Sequence, residues 1–148
     1  MSIEYGWTGK ILRIDLTDRK WAIESTEKYA ERFIGGIGIG YKVFWDEVEP
    51  GVKAFEADNK LVFATGPLTG TLVPGSGRFE IVSKSPRTYP LDSVTRSGMG
   101  GFFGPELKYA GYDALIVQGK SDKWINLWIY NERVEFREAD EYLGKDTY

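Results

Sequence analysis

The hydrophobic pattern opens as a hairpin. In 9-GKILRIDL-16, Leu12, Ile14 and Leu16 fall on one face and Arg13 and Asp15 on the other, the period-two alternation of a strand. The polar Thr17-Asp18-Arg19-Lys20 turns the chain, and 21-WAIES-25 returns as the antiparallel partner. The period then lengthens. Thr26 precedes 27-EKYAERF-33, where Tyr29 and Phe33 lie four residues apart, so a helix capped by Thr26 is predicted, ending at Gly35-Gly36. A second helix is predicted over 38–47, with Ile39, Val43 and Trp45 turned inward. The polar stretch 48–60 reads as a surface connection, and the apolar 61-LVFAT-65 as a buried strand. Another strand is predicted over 78–83, then a Pro-containing loop over 84–93. A helix over 102–110 ends at Gly111, with Tyr109 and Tyr112 read as core or hairpin aromatics. Strands follow over 113–119, 124–130 and 133–138, the last two joined at Asn131-Glu132. The expected class is α+β, with strands exceeding helices.

Composition narrows the chemistry. A chain of 148 residues with 42% hydrophobic and 15% aromatic content fits one globular domain with a real core. A net charge of -3 argues against nucleic acid and against an anionic membrane surface. The start, MSIEYGWTGK, has no basic-then-apolar pattern, and no apolar run is long enough to span a bilayer, so a cytoplasmic protein is expected. Cysteine and histidine are both absent. That excludes a disulfide, a thiolate-held iron–sulfur cluster, a His/Cys zinc site, and Ser-His or Cys-His nucleophile pairs in this chain. Acid–base work falls to carboxylates, Lys, Tyr or a bound cofactor.

Three glycine-rich strings remain: 35-GGIGIG-40, 66-GPLTG-70 with 75-GSGR-78, and 98-GMGGFFG-104. The first fails the dinucleotide fingerprint, because Val43 stands where the third glycine belongs and the string lies between helices. No P-loop motif occurs. Singly, each string reads as a turn or a close packing contact. Together they expose backbone amides that can surround an anion, and 98–104 leads into a predicted helix. Arg78 and Arg96 could add charge-assisted bonds to the same anion.

The strings GWTGKILRIDLT, FIGGIGIGYKVFWDEVEP, ATGPLTGT, GSGRF, VSKSPRT and GGFFGPELKYAGYDALIVQGK, in one collinear order over nearly the whole chain, resemble the N-terminal domain of the tungsten-containing aldehyde ferredoxin oxidoreductase family. The resemblance implies a sheet-rich base for a tungsten- or molybdenum-bis-pterin cofactor with magnesium between the pterin phosphates. It also implies oxidation of aldehydes to carboxylic acids, with electrons leaving to ferredoxin through a 4Fe–4S cluster held elsewhere. Arg78 matches the family's arginine beside the pterin, and Gly98, Met99, Gly100 and Gly101 match the loop whose backbone meets it. Gly98 would offer a main-chain carbonyl to magnesium. Two positions depart from the pattern: Gly98 stands where some members have Asn, and Ile37 where many have Arg. Family members continue past 142-YLGKDTY-148, so residues 1–148 are expected to form an N-terminal-like domain incomplete on its C-terminal side. The expected partners are the enzyme's remaining domains or subunits and, through them, ferredoxin. The chain would then be a fragment, a split subunit or a stand-alone domain. A different reading is a non-enzymatic binding or assembly module that self-associates through its sheet edges. A homodimer through 124-WINLWIY-130, whose Trp124, Leu127 and Ile129 sit among few charges, is its concrete form.

One expectation follows from the missing thiolates. The 148-residue chain on its own should purify without stoichiometric iron and without aldehyde oxidation, which elemental analysis and a low-potential dye assay check; iron bound at one cluster per chain would overturn it.

Overall fold

The computed structural model describes residues 6–146. The strands are β1 (Lys10–Asp15), β2 (Lys20–Ser25), β3 (Lys60–Thr65), β4 (Phe79–Ser85), β5 (Ser93–Met99), β6 (Ala114–Gln118), β7 (Ile125–Tyr130) and β8 (Arg133–Glu138). The helices are α1 (Glu27–Phe33), α2 (Ile37–Glu47) and α3 (Phe103–Tyr109), with a 3-10 turn at Asp140–Tyr142. Six strands form one sheet in the order β2-β1-β6-β3-β4-β5, antiparallel except where β1 meets β6, and β7 and β8 form a separate hairpin. Strands exceed helices, as the sequence pattern requires.

Two apolar layers lie on opposite faces of this sheet. Ile11, Val62, Ala64, Val82, Ala114 and Ile116 pack against Tyr29 of α1 and Ile39, Val43 and Phe44 of α2. On the other face Leu12, Ile14 and Leu115 pack with Leu107 of α3, Tyr112, and the hairpin's Leu127, Ile129, Val134 and Phe136. The alternation in β1 thus marks two buried faces, since Ile11 faces the helices and Leu12 and Ile14 face the hairpin.

Four details depart from the sequence reading. Trp45 is 86% exposed and Phe44 takes the inward place, one residue earlier on the 3.6-residue repeat. Tyr109 is exposed on α3, although Tyr112 is buried. β5 occupies 93–99, where no strand was predicted: only Val94 and Met99 are apolar, the rest are polar or glycine, and all seven are exposed. β7 pairs only with β8 and so keeps an open edge, but its Leu127 and Ile129 turn into the molecule, and the main sheet's outer strands are β2 and β5.

Among the described residues every buried side-chain polar atom has a hydrogen-bond partner except Asn59 Oδ1. The guanidinium of Arg13 on β1 donates to Glu24 of β2 at 2.7 Å, to Glu47 of α2 at 2.9 Å and to Gln118 of β6 at 3.2 Å. Burial alone would lower its pKa, but the hydrogen bonds it donates to Glu24 and Glu47 outweigh it and hold it above its ordinary value; the same Arg13 hydrogen bond keeps Glu24 below its own. Lys84 of β4 is 7% exposed and donates to the carbonyls of Glu49, Pro50 and Val52, which fixes the chain after α2.

The most connected group is Asp113, fully buried just before β6. Its carboxylate accepts from Thr8 N (2.9 Å), Gly9 N (2.9 Å), Thr26 Oγ1 (2.8 Å) and Lys108 Nζ (2.6 Å). Thr26 stands at the α1 N-cap as predicted, yet its hydroxyl makes no cap bond and donates to Asp113 instead. Asp113→Ala should therefore cost about 3–5 kcal/mol in chemical denaturation, because it strands a buried ammonium and several buried donors. Lys108→Met should cost less, since Thr8, Gly9 and Thr26 still satisfy the carboxylate. Equal losses would contradict this ranking.

Candidate cofactor-binding site

The three glycine strings, far apart in sequence, meet at one end of the sheet. β3 ends there at Thr65, β4 begins at Phe79 and β5 ends at Met99, with Thr65 opposite Phe79 and Phe79 opposite Met99. Gly36 N donates to Thr65 O at 2.9 Å, and a β-carbon on Gly35 would lie 2.6 Å from Thr65 O. The first string therefore docks on the start of the second. The second folds on itself: Thr69 Oγ1 accepts from Gly66 N (3.0 Å) and donates to Arg78 O (3.1 Å), and Gly70 N donates to Ser76 O (3.0 Å). The third lies against it, since β-carbons on Gly77 and Gly104 would come within 2.9 Å of Gly101 O and 3.1 Å of Gly77 O. Tyr109, although exposed, ties α3 to this loop by donating to Gly70 O at 2.7 Å.

The turn between α1 and α2 is strained. Ile34 has φ 61 and ψ -66, and Gly35 N donates to Phe33 O at 2.6 Å, which makes a tight three-residue turn of the rare hand. Such backbone costs on the order of 1–3 kcal/mol and persists only where its surroundings fix it. Trp7 supplies one fixing contact, its indole N–H donating to Ile34 O at 2.7 Å.

Charge gathers on the helix side of this end. The register sets Gly98 opposite Glu80 and Arg96 opposite Val82. A β-carbon at Gly98 would lie 2.8 Å from Arg78 Nη1 and 2.9 Å from Glu80 Oε1. Arg96 Nη1 meets Glu80 Oε2 at 3.4 Å. Arg78 itself is exposed. Arg78 and Glu80 thus both flank Gly98, and Arg96 pairs with Glu80, a carboxylate the sequence reading did not single out. Glu80 had one signal: it is a charge on the Val82 face of a strand that packs under α2. Met99 pairs with Phe79 and is 45% exposed, while Gly100 and Gly101 carry open space beyond their α-carbons, Gly101 at φ +89. A cleft of about 680 Å³ runs between Trp45, Val48, Lys84, Leu91 and Val94, and a smaller one of about 230 Å³ is lined by Phe103 and Tyr109. Among the described residues no group of three or more carboxylates is placed to hold a metal.

The profile of the family described as "Aldehyde ferredoxin oxidoreductase, N-terminal domain" matches residues 11–148. The chain belongs to the aldehyde ferredoxin oxidoreductase family. Tungsten-containing aldehyde ferredoxin oxidoreductases from Pyrococcus abyssi and Pyrococcus furiosus are 44% and 39% identical to it over 142 residues. The WOR-like subunit of an aliphatic sulfonate oxidoreductase from Pyrococcus furiosus is 39% identical over 144 residues. The active-site complex BamBC of benzoyl coenzyme A reductase, solved with 1,5-dienoyl-CoA, matches with a TM-score of 0.90 and 40% identity over 96% of this chain and 21% of that one. The aldehyde ferredoxin oxidoreductases are matched over 95% of this chain but 23% of their own length. What is shared with these family members is therefore an N-terminal domain.

Within this family domain the glycines divide by what surrounds them. A β-carbon on Gly40 would overlap Val82 in the core, so Gly40→Ala should cost about 1–3 kcal/mol through overpacking. Gly100→Ala meets nothing within 4 Å and should leave the melting temperature unchanged. Thermal denaturation of the two variants checks the division; equal losses would refute it.

Proposed function

We propose that this chain forms the pterin-bearing part of a tungsten- or molybdenum-dependent oxidoreductase that converts aldehydes to carboxylic acids. The observation that carries the proposal is the meeting of three glycine strings beside an exposed arginine. The residues suit a flat, phosphorylated cofactor: backbone is bare and open at Gly100 and Gly101, and Arg78 offers a fork of donors beside Gly98. When bound, the cofactor supplies the two-electron oxidation. Arg78 holds a pterin phosphate; Gly98, Met99, Gly100 and Gly101 let the main chain approach it, and the Gly98 carbonyl offers a ligand to magnesium.

The thiolates for a 4Fe–4S cluster come from the enzyme's remaining domains or subunits, because this chain has no cysteine, and electrons reach ferredoxin through them. Residues 1–148 are one domain, completed by those parts. No helix among the described residues is long and apolar enough to cross a membrane. One observation favours self-association as a second reading: all seven β5 residues are exposed and the strand has a free edge, to which another copy could add a strand.

Gly100→Val tests the main proposal in the protein as its source organism makes it. Tungsten, molybdenum and pterin content should fall several-fold while the cofactor-free protein keeps its melting temperature, since a β-carbon at Gly100 meets nothing within 4 Å. Unchanged metal and pterin content would overturn the assignment of this loop.

A further inference from the structure

The second glycine string carries an apolar tip that no described residue covers. Leu72 is 103% exposed, Val73 is 45% exposed, and every residue of 71-TLVPG-75 is at the surface. Leu68 on the same loop and Phe102 beside Gly101 are exposed as well. A lone exposed leucine needs no explanation, but these four large apolar side chains on two adjoining loops mark a surface that meets something. The tip is nevertheless ordered. Thr71 Oγ1 donates to Leu68 O at 2.8 Å, Ser76 Oγ to Thr71 O at 2.9 Å, and Ser76 N to Val73 O at 3.2 Å. Its base is tied down too, where Gly70 N donates to Ser76 O and Tyr109 of α3 donates to Gly70 O.

We propose that residues 71–75 are a docking finger, whose Leu72 and Val73 enter an aliphatic hollow on the domains or subunits that complete the enzyme. This rests on the reading of the chain as one domain of a larger oxidoreductase. Two observations select that occupant. The family's aldehyde ferredoxin oxidoreductases share only 23% of their length with this chain, so most of their polypeptide lies outside the shared domain. The finger also stands where the glycine strings meet, with Gly77 at its foot packed against the Gly101 carbonyl. Polypeptide that closes over the open backbone of Gly100 and Gly101 therefore meets the finger as well. The chemistry of the hollow follows from the tip, which has no charged residue over 71–75 and so fits an apolar surface rather than an acidic or basic one. A loop already held by its own hydrogen bonds loses little further freedom when it docks.

The accessibility of a single thiol tests this. The chain has no cysteine, so Leu72→Cys gives the domain one thiol. Asp122→Cys, at a side chain 84% exposed between β6 and β7, supplies an exposed reference. Both are labelled with a maleimide in the full-length protein as its source organism makes it, with its subunits retained, and the label is located by peptide mass. Each rate is divided by that of the same variant after denaturation. On this scale Leu72→Cys should react about tenfold or more slowly than Asp122→Cys, because a covered thiol is inert. Equal rates overturn the docking. If Leu72→Cys does not accumulate as assembled protein, Val73→Cys decides, since the finger's own bonds to residue 73 are main-chain. Protection that disappears in protein assembled without the pterin cofactor means that the cofactor covers Leu72; the docking then falls and the cofactor reading stands. Protection that disappears on dilution to a single-copy mass makes a second copy the occupant and overturns the docking too. Protection in every form, with metal and pterin content unchanged in Gly100→Val, leaves the docking standing and removes only the assignment of the glycine loop.

Discussion

The buried carboxylate of Asp113 is the constraint on which the rest depends. It lies where β6 begins, beside the last residue of β3, whose amide and hydroxyl both donate to the Asp113 carbonyl. Through its side chain it gathers the segment before β1, the start of α1 and the ammonium of α3. Lys108 in turn reaches Gly6 O, and a side chain on Gly6 would collide with Pro67. The second glycine string is thus held from below by the N-terminal segment, which is itself held by Asp113. A buried ion pair has a high desolvation cost, so it adds little stability over an apolar substitute. Here it is hydrogen-bonded on every side, and its contribution is to fix which elements meet at the site end of the sheet.

That end combines two uses of glycine. Gly35, Gly40 and Gly104 are closed in by backbone or core side chains, so their missing β-carbons allow α2, α3 and the loops to approach the sheet. Gly100 and Gly101 face open space, so packing gives no reason for them, although the φ of +89 at Gly101 is itself one that favours glycine. The strained turn at Ile34 belongs with the first set, as it brings the first string onto Thr65.

Much of the fold was legible because periodicity and turn chemistry are local. The hairpin at Thr17–Lys20, the helix ending before Gly35-Gly36, and the turn at Asn131, with φ 52, all follow from residues within a few positions of one another. The misses have a common cause. β5 is mostly polar and exposed on both faces, so it carries no apolar alternation and is a strand only because β4 supplies its hydrogen bonds. Trp45 projects outward because α2 needs only one apolar stripe, which Ile39, Val43 and Phe44 already fill. The Thr26 hydroxyl left its expected cap for a partner 87 residues away.

The sequence by itself determined every element type but that of β5, the absence of thiolate and imidazole chemistry, and, through its collinear strings, the family. Those depend on residue identity and near-neighbour spacing. Tertiary structure alone decided that three glycine strings share one end of the sheet and that Arg78 and Glu80 flank Gly98. It alone decided, too, which glycines face the core and which face open space. These relations depend on strand register and order, which place β6 between β1 and β3 although β6 follows β5 in the chain. No local pattern encodes that order: it is set by which long-range pairing buries both faces of the sheet at once.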